Sequence, residues 1–344
     1  MSHPVENPAQ QRRRRMTAWG AGVILLALLA ISILLSLAVG ARSVPLGDVW
    51  RGLTADDGSF EAAVVSARVP RTVLAACAGA ALGLAGTGMQ GLTRNPLADP
   101  GILGVNSGAA LAVVVGIFAF GVSGLVGTMA AALIGAAAAS LLVFLIAEFG
   151  PSNGSAVNLA IAGAAVGAAC SAVIGAILLN SQVTLDVFRR WQIGSVATNS
   201  FESFVPVLPL LLAGAALLLT NAGALNAIAL GEDVARGLGV SLGRARWTVG
   251  GGFVLLAAGA TAVAGPIGFV GLAVPHMLRL LLGGDHRRIM PLSLLGGAVL
   301  VLAADVLGRV VAPPSEVAAG VLTAVVGAPV LVWLAASKKG AMTQ

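Results

Sequence analysis

Sixteen consecutive residues, GEDVARGLGVSLGRAR (231–246), hold two acids, three arginines and four glycines inside a chain made mostly of Ala, Leu, Val and Gly. By composition alone that mixture fits an ordinary solvated loop as well as a contact surface for another chain; it has no nucleophile paired with a base. Glu232 and Asp233 stand where the first turn of a helix favours anions, and Gly239 is placed to end such a helix in the left-handed conformation. A second charged set is dispersed: Arg68 and Arg71 in RVPR, then Asp305 and Arg309. Asp305 and Arg309 are four residues apart, so on a helix they share a face and neutralise each other. A proton relay would need further acids or histidines beside Asp305.

Other chemistries lack their parts. The three histidines are scattered at 3, 276 and 286, and His276 in AVPHMLR reads as a packed or hydrogen-bonded side chain. A bare hard cation wants several oxygen ligands, so no metal site is expected. Cys77 and Cys170 fall in apolar runs and read as small buried hydrophobes. The two lysines, Lys338 and Lys339, stand near the C-terminus, outside any Gly-rich phosphate loop. No cofactor is expected, and any ATP-derived energy must come from another chain.

The elements that carry these residues are set by composition. Of 344 residues, 58% are hydrophobic and 10% charged, against about a quarter charged in soluble domains. Apolar runs near helix-spanning length recur throughout, which predicts an all-α polytopic membrane protein and excludes soluble folds and barrels. The pI near 10.9 follows from membrane topology and calls for no nucleic acid. Breaks at Pro, Gly and charge predict about ten spans: 18–40, 70–92, 101–121, 123–147, 156–180, 203–221, 248–266, 268–283, 290–311 and 317–336. The run after Arg12–Arg15 exceeds a signal-peptide core and predicts an uncleaved first helix. Residues 1–17 form a basic tail, 18–336 a membrane domain with a polar loop at 222–247, and 337–344 a second tail.

An even number of spans puts both termini on one side. With that side cytoplasmic, thirteen Lys and Arg lie inside and seven outside, the expected bias. The outer seven are Arg42, Arg51, Arg68, Arg71, Arg189, Arg190 and Arg309; an outward cluster gains nothing from topology and suits an acidic partner. Small residues recur every four positions as Gly79, Gly83, Thr87, Gly91 and as Gly163, Gly167, Ser171, Gly175. Such stripes allow close helix packing, and the second also suits a face toward a second subunit or a pathway. The first and sixth spans are each followed by four more, but similarity between the halves is too weak to assign a repeat.

Four stretches carry a family resemblance. RVPRTVLAACAGAALGLAGTGMQGLTRNPLADPGILGVNSGA (68–109) resembles the second and third spans of FecCD-type permeases, the membrane subunits of bacterial binding-protein-dependent ABC importers. GEDVARGLGVSLGRAR resembles that family's cytoplasmic coupling loop. AGPIGFVGLAVPHMLRLLLGGDHR (264–287) and AADVLGRVVAPPSEVAAGVLTAVVGAPVLVWLA (303–335) resemble its last four spans. The resemblance implies ten spans in the inner membrane, a second permease subunit, two ATPase subunits and a substrate-binding protein. It implies ATPase docking by Gly231, Glu232, Asp233, Ala235, Arg236, Gly237, Leu238 and Gly239, with two short helices broken at Gly237 and Gly239. It implies binding-protein docking at Arg68, Arg71 and Arg309, and a pathway lined by the fifth and tenth spans. The implied cargo is a metal chelate, a ferric siderophore ahead of haem or cobalamin. An ion-coupled secondary transporter would need intramembrane acids beyond Asp305, and a scaffold protein would leave the polar stretch unexplained.

Overall fold

The computed structural model describes residues 8–40, 42–54, 58–149, 156–197, 201–313 and 315–329; the backbone of 8–17 is included without its side chains. The basic tail's first seven residues, the end of the tenth span and the C-terminal tail lie outside the described residues. Helices in chain order are α1 (Pro8–Ala38), α2 (Leu46–Thr54), α3 (Phe60–Thr93), α4 (Val105–Phe120), α5 (Gly124–Glu148), α6 (Ala156–Asn180) and α7 (Gln182–Gln192). There follow α8 (Phe201–Phe204), α9 (Leu208–Thr220), α10 (Ala222–Ala229), α11 (Glu232–Gly237), α12 (Leu242–Ala264), α13 (Val270–Leu282), α14 (His286–Val311) and α15 (Ala319–Pro329). Among the described residues six are long and apolar enough to cross a membrane, α9 and α10 pass the same test together with a bend of 47° between them, and α4, α13 and α15 are shorter apolar helices. These ten segments follow the order of the ten expected spans.

Helix α3 is the hub, packing on α14, α12, α13 and α9. It begins ten residues before Pro70, where the break was expected. Ser59 caps it by accepting the Ala62 N–H at 3.2 Å, and Arg94 ends it in the left-handed region. Pro70 sits inside the helix and frees the carbonyl of Ser66, an exposed residue one turn earlier. The first small-residue stripe explains the packing on α14. A Cβ on Gly79 would overlap the Gly297 carbonyl, and one on Gly83 the Ser293 carbonyl, while Thr87 and Ser293 hydrogen bond at 2.7 Å. Close backbone approach is what small residues provide where lipid supplies no hydrophobic drive.

Two spans are interrupted inside the protein. Between α12 and α13, residues 265–268 are non-helical, with Gly265 at φ +69° and Phe269 at φ +68°. Before α4, a short 3₁₀ turn (Pro100–Leu103) starts beside the middle of α3. Both breaks are enclosed by other helices, the condition under which irregular backbone survives in a membrane. The α9–α10 bend has a side-chain cause: Asn221 Nδ2 donates to Leu217 O at 2.8 Å and its Oδ1 accepts from Thr248 at 3.2 Å.

Candidate functional site

At one end of the bundle α1, α3 and α14 converge, and their charges are arranged by the unsatisfied carbonyls that end α1. Arg68 donates to Leu37 O at 2.8 Å and Arg42 O at 2.6 Å. Arg309 donates to Ser36 O at 2.8 Å, Val39 O at 3.1 Å and Ser36 Oγ at 2.9 Å. Two guanidiniums from different helices thus cap the negative end of a third. Asp305 is shared: Arg71 meets it through Nε and Nη2 at 2.8–3.1 Å, and Arg309 Nη2 at 3.1 Å. Arg71 also reaches Glu316 at 2.8 Å. Three cations, Arg68, Arg71 and Arg309, thus share two anions, Asp305 and Glu316, and this end keeps a net positive charge.

The expected Asp305–Arg309 pair is therefore present but enlarged. Arg309 is 2% exposed and its donors bond within the chain. Its burial follows from its position one turn after Asp305, on the side of α14 that packs against α1. Arg71 is largely enclosed and Arg68 half-buried. Arg42 and Arg51 at this end have side chains 67% and 70% exposed and pair with Glu61 at 3.7 Å and Asp48 at 2.6 Å. Arg42 also lies over the Phe60 ring at 4.6 Å. Sequence reasoning missed Glu316 because it stands in a connecting segment with no periodic signal; the nearby PPS was the only clue that a turn would bring it back. Arg189 and Arg190 are exposed in the last turn of α7, whose Thr184 and Phe188 face inward.

At the opposite end of α3, the polar stretch forms α11 and the turn into α12. Glu232 and Asp233 occupy the first turn of α11. Its C-terminus is a Schellman motif: Val240 N–H bonds Ala235 O at 2.9 Å and Gly239 N–H bonds Arg236 O at 3.0 Å, with Gly239 at φ +81°. Gly231, at φ +112°, opens the helix. The expected break at Gly237 is absent; Gly237 ends α11 as an ordinary helical residue, and a Cβ there meets nothing. The irregular segment is also shorter than 222–247, because 222–229 is helix α10 and α12 starts at Leu242. Buried Ala235 and an Arg246–Glu232 ion pair at 2.9 Å hold α11 to α12. Asp233, Val234, Arg236, Gly237, Leu238 and Gly239 are exposed.

The second small-residue stripe changes character along α6. Gly163 is buried and Gly167 faces Ser107, whereas Ser171 and Gly175 are exposed and a Cβ on Gly175 meets nothing. Ala164, Ala165, Ala168, Ala169 and Ala172 are exposed beside them, so an apolar small-residue face stands open. Asp99 is an acid that span counting overlooked. Its Oδ1 caps the 3₁₀ turn through Gly101 N–H at 2.8 Å, and Gly271 of α13 lies against its Oδ2. The carboxylate sits at two helix starts, where the dipoles favour it.

The chain matches the profile of the FecCD transport family over residues 28–337. It is 42% identical over 316 residues to the ferric enterobactin transport system permease protein FepD of Escherichia coli K12, covering 91% of this chain and 94% of that protein. It is 38% identical over 315 residues to the hemin transport system permease protein HmuU of Yersinia pestis, covering 90% and 93%. Among solved structures, a metal-chelate type ABC transporter in an inward-facing conformation superimposes with a TM-score of 0.80 at 32% identity, covering 91% of this chain and 97% of that one.

Proposed function

The chain belongs to the FecCD transport family and is a multi-pass permease of the bacterial inner membrane; we propose that its cargo is a ferric siderophore, handed over by a binding protein and moved by the work of separate ATPase subunits. The observation that carries the cargo is the 42% identity to a ferric enterobactin permease along nearly the whole chain. The open face of α6 supports it. A wall of Ala, Gly and Ser offers a wrapped metal no charge to bind and no ligand to exchange, so a large chelate passes without being stripped.

The two ends divide the work. The α11 segment, exposed and closed by the turn at Gly239, docks the ATPase at the cytoplasmic side, where both termini also lie. The arginine end receives the binding protein, with Arg68 and Arg71 supplying the permanent positive field and Arg309 holding Asp305 behind them. The α6 face and the tenth span border the pathway between this chain and a second permease subunit. The deciding experiment reconstitutes the permease with its ATPase and binding protein in liposomes and supplies radiolabelled ferric enterobactin, haemin or cobalamin. ATP-dependent accumulation of ferric enterobactin is expected; accumulation of haemin or cobalamin alone would reassign the cargo.

A further inference from the structure

Helix α10 has the sequence AGALNAIA, and its one polar side chain, Asn226, is placed where it can bind something. Asn226 Nδ2 donates to Asp285 Oδ1 at 2.7 Å. Its Oδ1 accepts the His286 backbone N–H at 2.8 Å and lies 2.9 Å from His286 Nδ1. Asp285 is also the N-cap of α14, taking the Arg287 N–H at 3.0 Å, and it pairs with Arg288 at 3.3 Å. Buried His286 bears in turn on α3, where a Cβ on Gly91 would come within 2.6 Å of its Nε2. One amide therefore ties α10 to the junction of α13 and α14 and, through His286, to the hub helix.

The tie matters because of what surrounds it. Leu225, Ala222, Ala227 and Ile228 give α10 only apolar contacts, which are non-directional and let helices slide. Hydrogen bonds that saturate both functions of an amide resist sliding, since breaking them leaves polar groups unsatisfied at a half-buried site. Only Leu230 and Gly231 separate α10 from α11.

We propose that Asn226 is a positioning residue for transport, a latch that carries displacement of α11 into the α13–α14 junction. The proposal rests on the reading of α11 as the ATPase-docking element. Movement of α11 reaches α10 through a two-residue connection, and the latch makes α10, α13 and α14 move as one body. Without it, hydrolysis proceeds while α13 and α14 stay where they are.

The test uses the complete reconstituted transporter, with spin labels at exposed Leu238 and Leu281 and radiolabelled ferric enterobactin as probe. Asn226→Asp keeps the acceptor for His286 but sets a carboxylate against Asp285. In the parent, the label distance should hold constant between nucleotide-free and ATP-bound states. In N226D it should change, uptake should fall about tenfold, as expected for the loss of a buried charged-group hydrogen bond, and hydrolysis should persist. Adding Asp285→Asn, whose amide can turn toward the new carboxylate, should recover part of the uptake. Should N226D not assemble, Asn226→Ser is judged on the same readouts. An equal distance change in parent and variant, parental uptake, or joint loss of uptake and hydrolysis in an assembled complex would overturn the latch. Gly239→Val in the same complex tests the docking reading separately. If it leaves ATPase association untouched, that reading fails; parental uptake in N226D beside dissociation in G239V rejects the latch alone.

Discussion

Arg71 grips Asp305 with two nitrogens across 234 residues of sequence, and the same carboxylate holds Arg309 one turn farther along its own helix. Asp305 is thus the keystone between α3 and α14 rather than half of a local pair. Removing one member of such a network strands charge in a buried site. Asp305→Ala should cost about 3–5 kcal/mol, read as a fall in the unfolding midpoint of detergent-solubilised protein. Adding Arg309→Met, which removes one stranded cation, should return part of that loss. A D305A midpoint equal to the parent would mean the network contributes nothing.

The arginine end carries a salt-dependent prediction. Arg68→Gln retains amide donors toward Leu37 O and Arg42 O while removing the charge, so its effect on partner binding separates from its effect on α1. Binding-protein affinity should fall several-fold at low ionic strength and the difference should shrink toward 1 M salt, where the screening length is about 3 Å. Equal affinities at low salt would assign Arg68 to capping alone.

Two glycines eight residues apart in the docking segment should behave oppositely to their flanking partner. Gly239 must hold φ +81°, which costs a β-branched residue on the order of 1–2 kcal/mol; Gly239→Val should release the ATPase in pull-down assays. Gly231→Ala should do the same at φ +112°. Gly237→Ala, in regular helix with open space beside it, should bind and transport as the parent does. Loss of association in G237A together with retention in G239V would reverse the assignment.

The two small-residue stripes also make opposite forecasts. Gly83→Val would drive side-chain atoms into the Ser293 carbonyl and should abolish monodisperse expression. Gly175→Val meets no neighbour within this chain, so the subunit should fold and any defect should appear in subunit association or uptake. Cysteines at Ser171 and Gly175 should cross-link between permeases or change reagent accessibility with nucleotide. Constant inaccessibility of both would return the α6 face to lipid.

What the sequence alone determined is local in origin. Hydropathy and helix-breaking residues exposed the membrane class, the ten apolar segments and their order, because span length is a property of consecutive residues. The family resemblance of 231–246 pointed to a short helix there, and the acids at its start and Gly239 at its end fit that reading, since capping is decided within a turn or two. The tertiary structure decided everything that depends on partners far along the chain. It drew Arg309 inward onto the carbonyls of α1, brought Glu316 to Arg71, set Asp99 beside the middle of α3, and joined Asn226 to Asp285. It also moved the start of α3 ahead of Pro70 and removed the break at Gly237. The physical reason is the same in each case: in a low-dielectric bundle a polar group goes where an unsatisfied partner waits, and that partner's position is known only once the helices have packed.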